Sequence, residues 1–214
     1  MRLDHVSYVA SHDQISDVVN RIGSQIETAF VDGGIHPKFG TRNFTAPLLN
    51  GQYIEVVCPM DHPATDATPF GKAVKQKAED GGGWLAWVLV TENIEKIEQF
   101  FGRKSIDAHR KKPSGEILKW NQIGVSALIT KPVVPFFINW MAGIHPSKDG
   151  QANATITEIN INLEEEGDEE VLAYVRKNWE KSTEEQLCFT RNKTDDIGIT
   201  SVKFSTLGNV QEIF

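Results

Sequence analysis

The chain has 214 residues, 29 acidic and 22 basic, for a net charge of -7, with 40% apolar and 24% charged residues. That composition supports a buried core and excludes intrinsic disorder. The acidic balance argues against nucleic acid, which needs a basic face, and against a polybasic membrane anchor. No apolar stretch reaches the length of a membrane helix, and the N-terminus lacks the features of a secretory signal. Cys58 and Cys188 lie far apart, outside any CxxC spacing. Reduced, buried thiols and a cytoplasmic protein are therefore expected.

Residues 3–10 read as a strand, with Leu3, His5, Ser7 and Val9 on one face. Asp13 is a candidate cap for a helix carrying Ile15, Val18, Val19 and Ile22, and Gly23 a candidate stop. A loop rich in turn-formers follows over residues 33–43, holding His36, Arg42 and Asn43. Residues 41–49 and 52–58 read as strands joined at Asn50-Gly51, a hairpin signal because both residues tolerate positive φ. The run Asp80-Gly81-Gly82-Gly83 marks a module junction. A second unit starts with an apolar strand over 84–91 and a helix over 92–101 ended by Gly102. Strands at 116–123 and 135–141 complete it, the first preceded by a turn at Pro113-Ser114-Gly115. A third unit has a strand at 154–163, a helix at 168–179 and short strands at 186–190, 197–205 and 210–214. The order strand, helix, antiparallel strands thus recurs three times.

Glu55 stands in Tyr53-Ile54-Glu55-Val56-Val57, a run otherwise fit for burial. A buried carboxylate needs a cation, several donors, a proton or a metal. In a cavity it suits general base chemistry; otherwise it forms a salt bridge to Arg42, Arg110 or a lysine. His5, His36 and Glu55 are also the ligand types of a two-histidine, one-carboxylate metal site, although a lone histidine such as His5 is commonly a satisfied core residue. His145 is a reserve candidate. Arg110, near Pro113 and Gly115, either presents its guanidinium to a carboxylate or phosphate or belongs to a solvated basic turn. Trp84, Trp87, Trp120, Phe136, Phe137 and Trp140 are mostly core, with some free to wall a pocket.

The set Leu3-Asp4-His5-Val6, Gly33-Gly34-Ile35-His36-Pro37 with Gly40-Thr41-Arg42-Asn43, Tyr53-Ile54-Glu55, Gly83-Trp84, Arg110 to Pro113, and Pro135 to Trp140 with His145-Pro146 resembles the glyoxalase-like family of the vicinal oxygen chelate superfamily. The resemblance covers residues 1–147, as modules of about 1–80 and 81–147, with 148–214 as a third βαβββ-like module packed on them. It implies an α+β fold of repeated βαβββ modules forming curved mixed sheets around a cavity. It implies a divalent metal of unspecified identity that chelates vicinal substrate oxygens, acting by Lewis-acid catalysis in a lyase, transferase or dioxygenase. His5 and Glu55 match its ligand positions. The second module departs from the pattern, offering Trp84, Ala86 or Trp87 on its first strand and Asn139 on its last. Either His36 or His145 completes an altered site, or the cavity holds no metal.

The resulting expectation is an enzyme acting on a small oxygen-rich metabolite or electrophile. Glu55 and His36 would be catalytic, His5, Glu55 and His36 metal ligands, and Arg42, Asn43, Arg110, Trp120 and Asn139 substrate-binding. The alternative is a non-catalytic protein that binds or sequesters a small molecule. A homodimer is compatible with either.

Overall fold

The computed structural model describes residues 1–163, 169–180, 186–191 and 197–214. Strand β1 (Arg2–Val9) leads through helix α1 (Ile15–Gln25) to strands β2 (Val31–His36), β3 (Thr41–Pro47) and β4 (Tyr53–Pro59). Helices α2 (Pro63–Ala67) and α3 (Pro69–Glu79) connect to a second unit of the same order: β5 (Gly83–Val90), α4 (Ile94–Phe101), β6 (Ile106–Lys111), β7 (Ile117–Ile123) and β8 (Phe136–Ala142). In each unit the first strand pairs parallel with the last, β1 with β4 and β5 with β8. The other strands form an antiparallel meander.

The two units close on each other as an eight-stranded barrel in the order β1-β4-β3-β2-β6-β7-β8-β5. One seam is long, the antiparallel pairing of β1 with β5. The other is a single registered pair, Ile35 opposite Lys111. Gly34 makes that seam fit: its φ is +97°, and a Cβ there would lie 1.9 Å from the Lys111 carbonyl oxygen.

The third unit contains β9 (Thr155–Asn162), α5 (Glu169–Asn178), β10 (Gln186–Thr190), β11 (Gly198–Ser205) and β12 (Val210–Ile213). It repeats the element order of the first two but not their pairing. Its sheet runs β10-β9-β11-β12, so the strand parallel to the first comes directly after the helix. This sheet packs on the outside of the barrel. A bulge between Ser7 and Tyr8 in the β1–β5 register skips Leu85. Trp84 and Trp87 therefore both join the outer cluster. The Trp84 indole donates to the Ile213 carbonyl at 2.9 Å and stacks near Phe204, while Trp87 meets Trp179 and Phe189.

Several local expectations need correction. The loop at 33–43 is largely a β2–β3 hairpin, because Asp32, Gly34 and Ile35 pair with Phe44, Asn43 and Arg42 across it. Gln14, not Asp13, stands at the N-cap of α1, which runs past Gly23 to Gln25. Gly23 instead permits a close approach, since a Cβ there would lie 3.0 Å from the Thr28 carbonyl oxygen. The start expected for α5 at Asp168 lies outside the described residues. Helices α2 and α3 and strand β6 were not anticipated. Thr68 caps α3 by accepting from the Gly71 N–H, with Pro69 opening its first turn. Cys58 is buried, but Cys188 is only half-buried. Among the described residues no helix is long and apolar enough to cross a membrane.

Candidate functional site

Strand alternation decides which side chains enter the barrel. Apolar residues directed inward, among them Val9, Val57, Val88, Ala108 and Phe136, cluster with Phe39 and with Phe70, Ala73 and Val74 of α3. Next to this cluster, polar side chains surround a cavity of about 30 Å³, room for roughly two waters. His5, His36, Asn43, Glu55, Arg110 and Gln122 line it, with Tyr53, Trp120, Trp140 and three phenylalanines as walls.

Glu55 is the hub. Its carboxylate accepts from the Ser7 hydroxyl at 2.7 Å and from the Asn43 amide at 2.7 Å. The other end of the same Asn43 amide accepts from Arg110 Nη1 at 3.1 Å. Glu55 therefore meets its nearest guanidinium through one amide, not in a direct salt bridge. Gly33 leaves room for this bridge: a Cβ there would stand 2.3 Å from Asn43 Oδ1 and 2.5 Å from Arg110 Nη1. His36 Nε2 lies 3.9 Å from Glu55, and its Nδ1 is 2.9 Å from the Thr41 hydroxyl.

Burial pushes the Glu55 carboxyl up, but His36, His5 and the hydrogen bonds from Ser7 and Asn43 outweigh it and hold the group below its ordinary value. Glu55 is thus ionised near neutral pH. Burial drives His36 down to about 4, helped by the Arg110 charge and opposed by Glu55. His36 is neutral at pH 7.

His5 reaches the cavity beside Tyr53, with ring centroids 4.3 Å apart. Its Nδ1 sits 2.9 Å from Asp4 Oδ2, and the other Asp4 oxygen is 3.1 Å from His145 Nε2. Burial raises the Asp4 carboxyl, yet hydrogen bonds and charge from His145 and His5 hold it far below the usual carboxylate range. Asp4 therefore accepts and His5 Nδ1 donates. Asp4 occupies this position through a bulge between Leu3 and His5 in the β1–β5 register.

His5, His36, Glu55, Asn43, Arg110 and Trp120 are brought together as expected residues of one cavity. Two expected substrate contacts are not. Arg42 alternates out of the barrel, pairs with Asp32 and covers Phe44. Asn139 lies between the inward Ile138 and Trp140, and its amide donates to the Thr91 carbonyl at 2.8 Å. Arg110 is itself buried, on strand β6, and does not belong to a solvated turn; its neighbour Lys112 pairs with Glu116 and Asp149.

Ser7, Tyr53, Gln122 and Trp140 were missed as site residues. Period-two counting from His5, Glu55 and Trp120 finds the first three. No sequence signal marks Asp4, because a bulge breaks the alternation there.

The implied metal does not fit the donor set. Among the described residues no three His, Cys, Asp or Glu side chains converge to hold an ion. Both Glu55 oxygens already accept hydrogen bonds, and the Arg110 cation lines the same space. A dication would meet that charge at short range in a weakly screened interior.

Paired β-α-β-β-β units closed around an internal polar cavity define the vicinal oxygen chelate architecture. The sequence profile of the glyoxalase-like domain matches residues 3–177, and the chain belongs to that family. The match reaches into the third unit, beyond the residues 1–147 over which the motifs lie. A hypothetical protein from Staphylococcus aureus is similar in structure, with a TM-score of 0.58 at 16% identity over 97% of this chain and 82% of that one. A methylmalonyl-CoA epimerase from Mycobacterium tuberculosis aligns with a TM-score of 0.45 at 12% identity over 66% of this chain and 88% of its own. At these identities the likeness concerns the fold alone. No curated protein matches the chain.

Proposed function

We propose that the barrel cavity is the active site of an enzyme that moves a proton at a carbon next to a carbonyl group, on a small oxygen-bearing substrate. One observation carries this reading: a buried Glu55 sits one amide away from a buried Arg110. Glu55 takes the proton from carbon. The C–H electron pair forms the C=C bond of an enolate while the carbonyl π pair moves to oxygen, where the negative charge is met by the cavity's N–H donors on Arg110 and Gln122.

The lowered pKa has a consequence. Glu55 is always ready to accept but is a weak base, so the acidity must come from the substrate and from stabilisation of its oxyanion. Neutral His36, beside Glu55, and His5, which lines the same cavity, are placed to pass the proton onward. Return of the proton to the same or the neighbouring carbon completes an epimerisation or isomerisation. Asn43 holds base and cation at a set spacing, Ser7 fixes the base, and Trp120 and Tyr53 wall out water.

The test is hydrogen exchange at carbon. Pyruvate, methylglyoxal and dihydroxyacetone are incubated with the protein in D₂O and followed by NMR. Enzyme-dependent exchange that falls by about 10²–10⁴ in Glu55→Gln supports the reading. Exchange that is absent for all three, or unchanged in the variant, refutes it. A second reading, binding without turnover, draws on the aromatic enclosure of the cavity. It predicts saturable ligand binding with no exchange.

A further inference from the structure

Arg110 carries more hydrogen-bonding capacity than the protein uses. Nη1 is tied to Asn43. Nε and Nη2 are buried and have no hydrogen-bond partner among the described residues. These two nitrogens form the side edge of the guanidinium, and their N–H bonds run parallel at the spacing of two carboxylate oxygens. The amide nitrogen of Gln122 is also buried and unpartnered in the same cavity, while its oxygen accepts from the Trp120 indole at 2.8 Å. Glu55 is the one carboxylate among the cavity's lining residues, and its oxygens are engaged by Ser7 and Asn43. Orphaned buried donors, above all on a cation, destabilise a fold unless a partner arrives from outside.

We propose that the substrate is a small monocarboxylate whose two oxygens lie on Nε and Nη2 of Arg110, with a further oxygen on the adjacent carbon reaching the Gln122 amide. A planar monoanion matches a two-donor edge. A tetrahedral dianion such as phosphate needs more donors and is repelled by Glu55. The size agrees: room for two waters is about 60 Å³ of liquid volume, the scale of a two- or three-carbon acid. This inference deepens the proton-transfer reading and rests on it for the role of Glu55; the carboxylate itself rests on the free edge of Arg110.

Binding of pyruvate, pyruvamide, lactate, glycolate and inorganic phosphate is measured by calorimetry and by tryptophan fluorescence, since Trp120 and Trp140 wall the cavity. At least one of the three acids binds once per chain, and pyruvamide binds at least tenfold more weakly than pyruvate. Arg110→Lys, checked for folding by circular dichroism, weakens the acids at least tenfold. Glu55→Gln binds them equally or more tightly while losing exchange. The inference is overturned if none of the acids binds at millimolar concentration, if pyruvamide or phosphate matches the acids, or if the Lys variant binds as wild type. Wild-type amide discrimination decides the matter even if that variant misfolds. Acid binding without any carbon exchange would leave this inference standing and sink the catalytic one. Exchange of neutral carbonyls as fast as pyruvate would do the reverse.

Discussion

Replacing Glu55 by glutamine changes one oxygen to an amide nitrogen, and the structure shows how far that disturbance spreads. If the new amide oxygen keeps the Ser7 hydroxyl, its nitrogen faces the Asn43 amide nitrogen, donor against donor. Turning Asn43 over mends that contact but sets its nitrogen against Arg110 Nη1. Placing the new oxygen on Asn43 and the new nitrogen on Ser7 keeps both contacts, since the hydroxyl accepts as well as donates, but in every arrangement a buried guanidinium loses its countercharge. Breaking a buried charged network in this way costs about 3–5 kcal/mol in all. For a chain of this size that is a fall in melting temperature of about 6–20 °C. Thermal unfolding of Glu55→Gln, Arg110→Met and the double variant measures it. The double variant removes the stranded charge along with the carboxylate, so its cost should be smaller than the sum of the single costs by about 1–3 kcal/mol. Additivity within about 0.5 kcal/mol, or a Glu55→Gln cost below about 1 kcal/mol, would refute the argument that Asn43 couples the two groups.

The acid response has a definite sign. His36 is depressed from 6.5 to about 4, so between those values the unfolded chain binds a proton that the folded one does not. Stability is complete above pH 6.5 and falls toward pH 4 by about 1.4 kcal/mol per pH unit, a slope that His36→Asn should flatten in melting curves against pH. Below that window the lowered carboxyls of Glu55 and Asp4 add further losses as each is protonated. Gly34→Ala places a Cβ against the Lys111 carbonyl at the narrow seam, and should open the β2–β6 edge to amide hydrogen exchange while β1–β5 stays protected. Trp84→Phe orphans the Ile213 carbonyl and should cost about 1–3 kcal/mol in denaturant unfolding with little change in cavity binding.

Much of the site was legible because a strand has period two. His5 with Ser7, Tyr53 with Glu55 and Trp120 with Gln122 share faces by counting alone. The same rule shows that Arg42 and Asn43 cannot both enter the barrel, although it does not say which one does. The pairing of Asn43 opposite Gly34 and beside Val57 settles that in favour of Asn43. The hairpin inside residues 33–43 was hidden by its glycines, which read as loop until a partner strand is present. Strand β6 was hidden by its charges, since Asp107, His109 and Lys111 face outward and only Ala108 and Arg110 are buried.

The sequence by itself determined the module order and the burial demand on Glu55, because periodicity and desolvation act locally. Tertiary structure decided the rest. Barrel closure placed Arg110 of one unit against Asn43 of the other, 67 positions away in the chain. Bulges, which depend on the partner strand, turned Asp4 toward His5 and sent Trp84 to the third sheet. The absence of a converging ligand set among the described residues is likewise a property of distances between strands, which no residue pattern encodes.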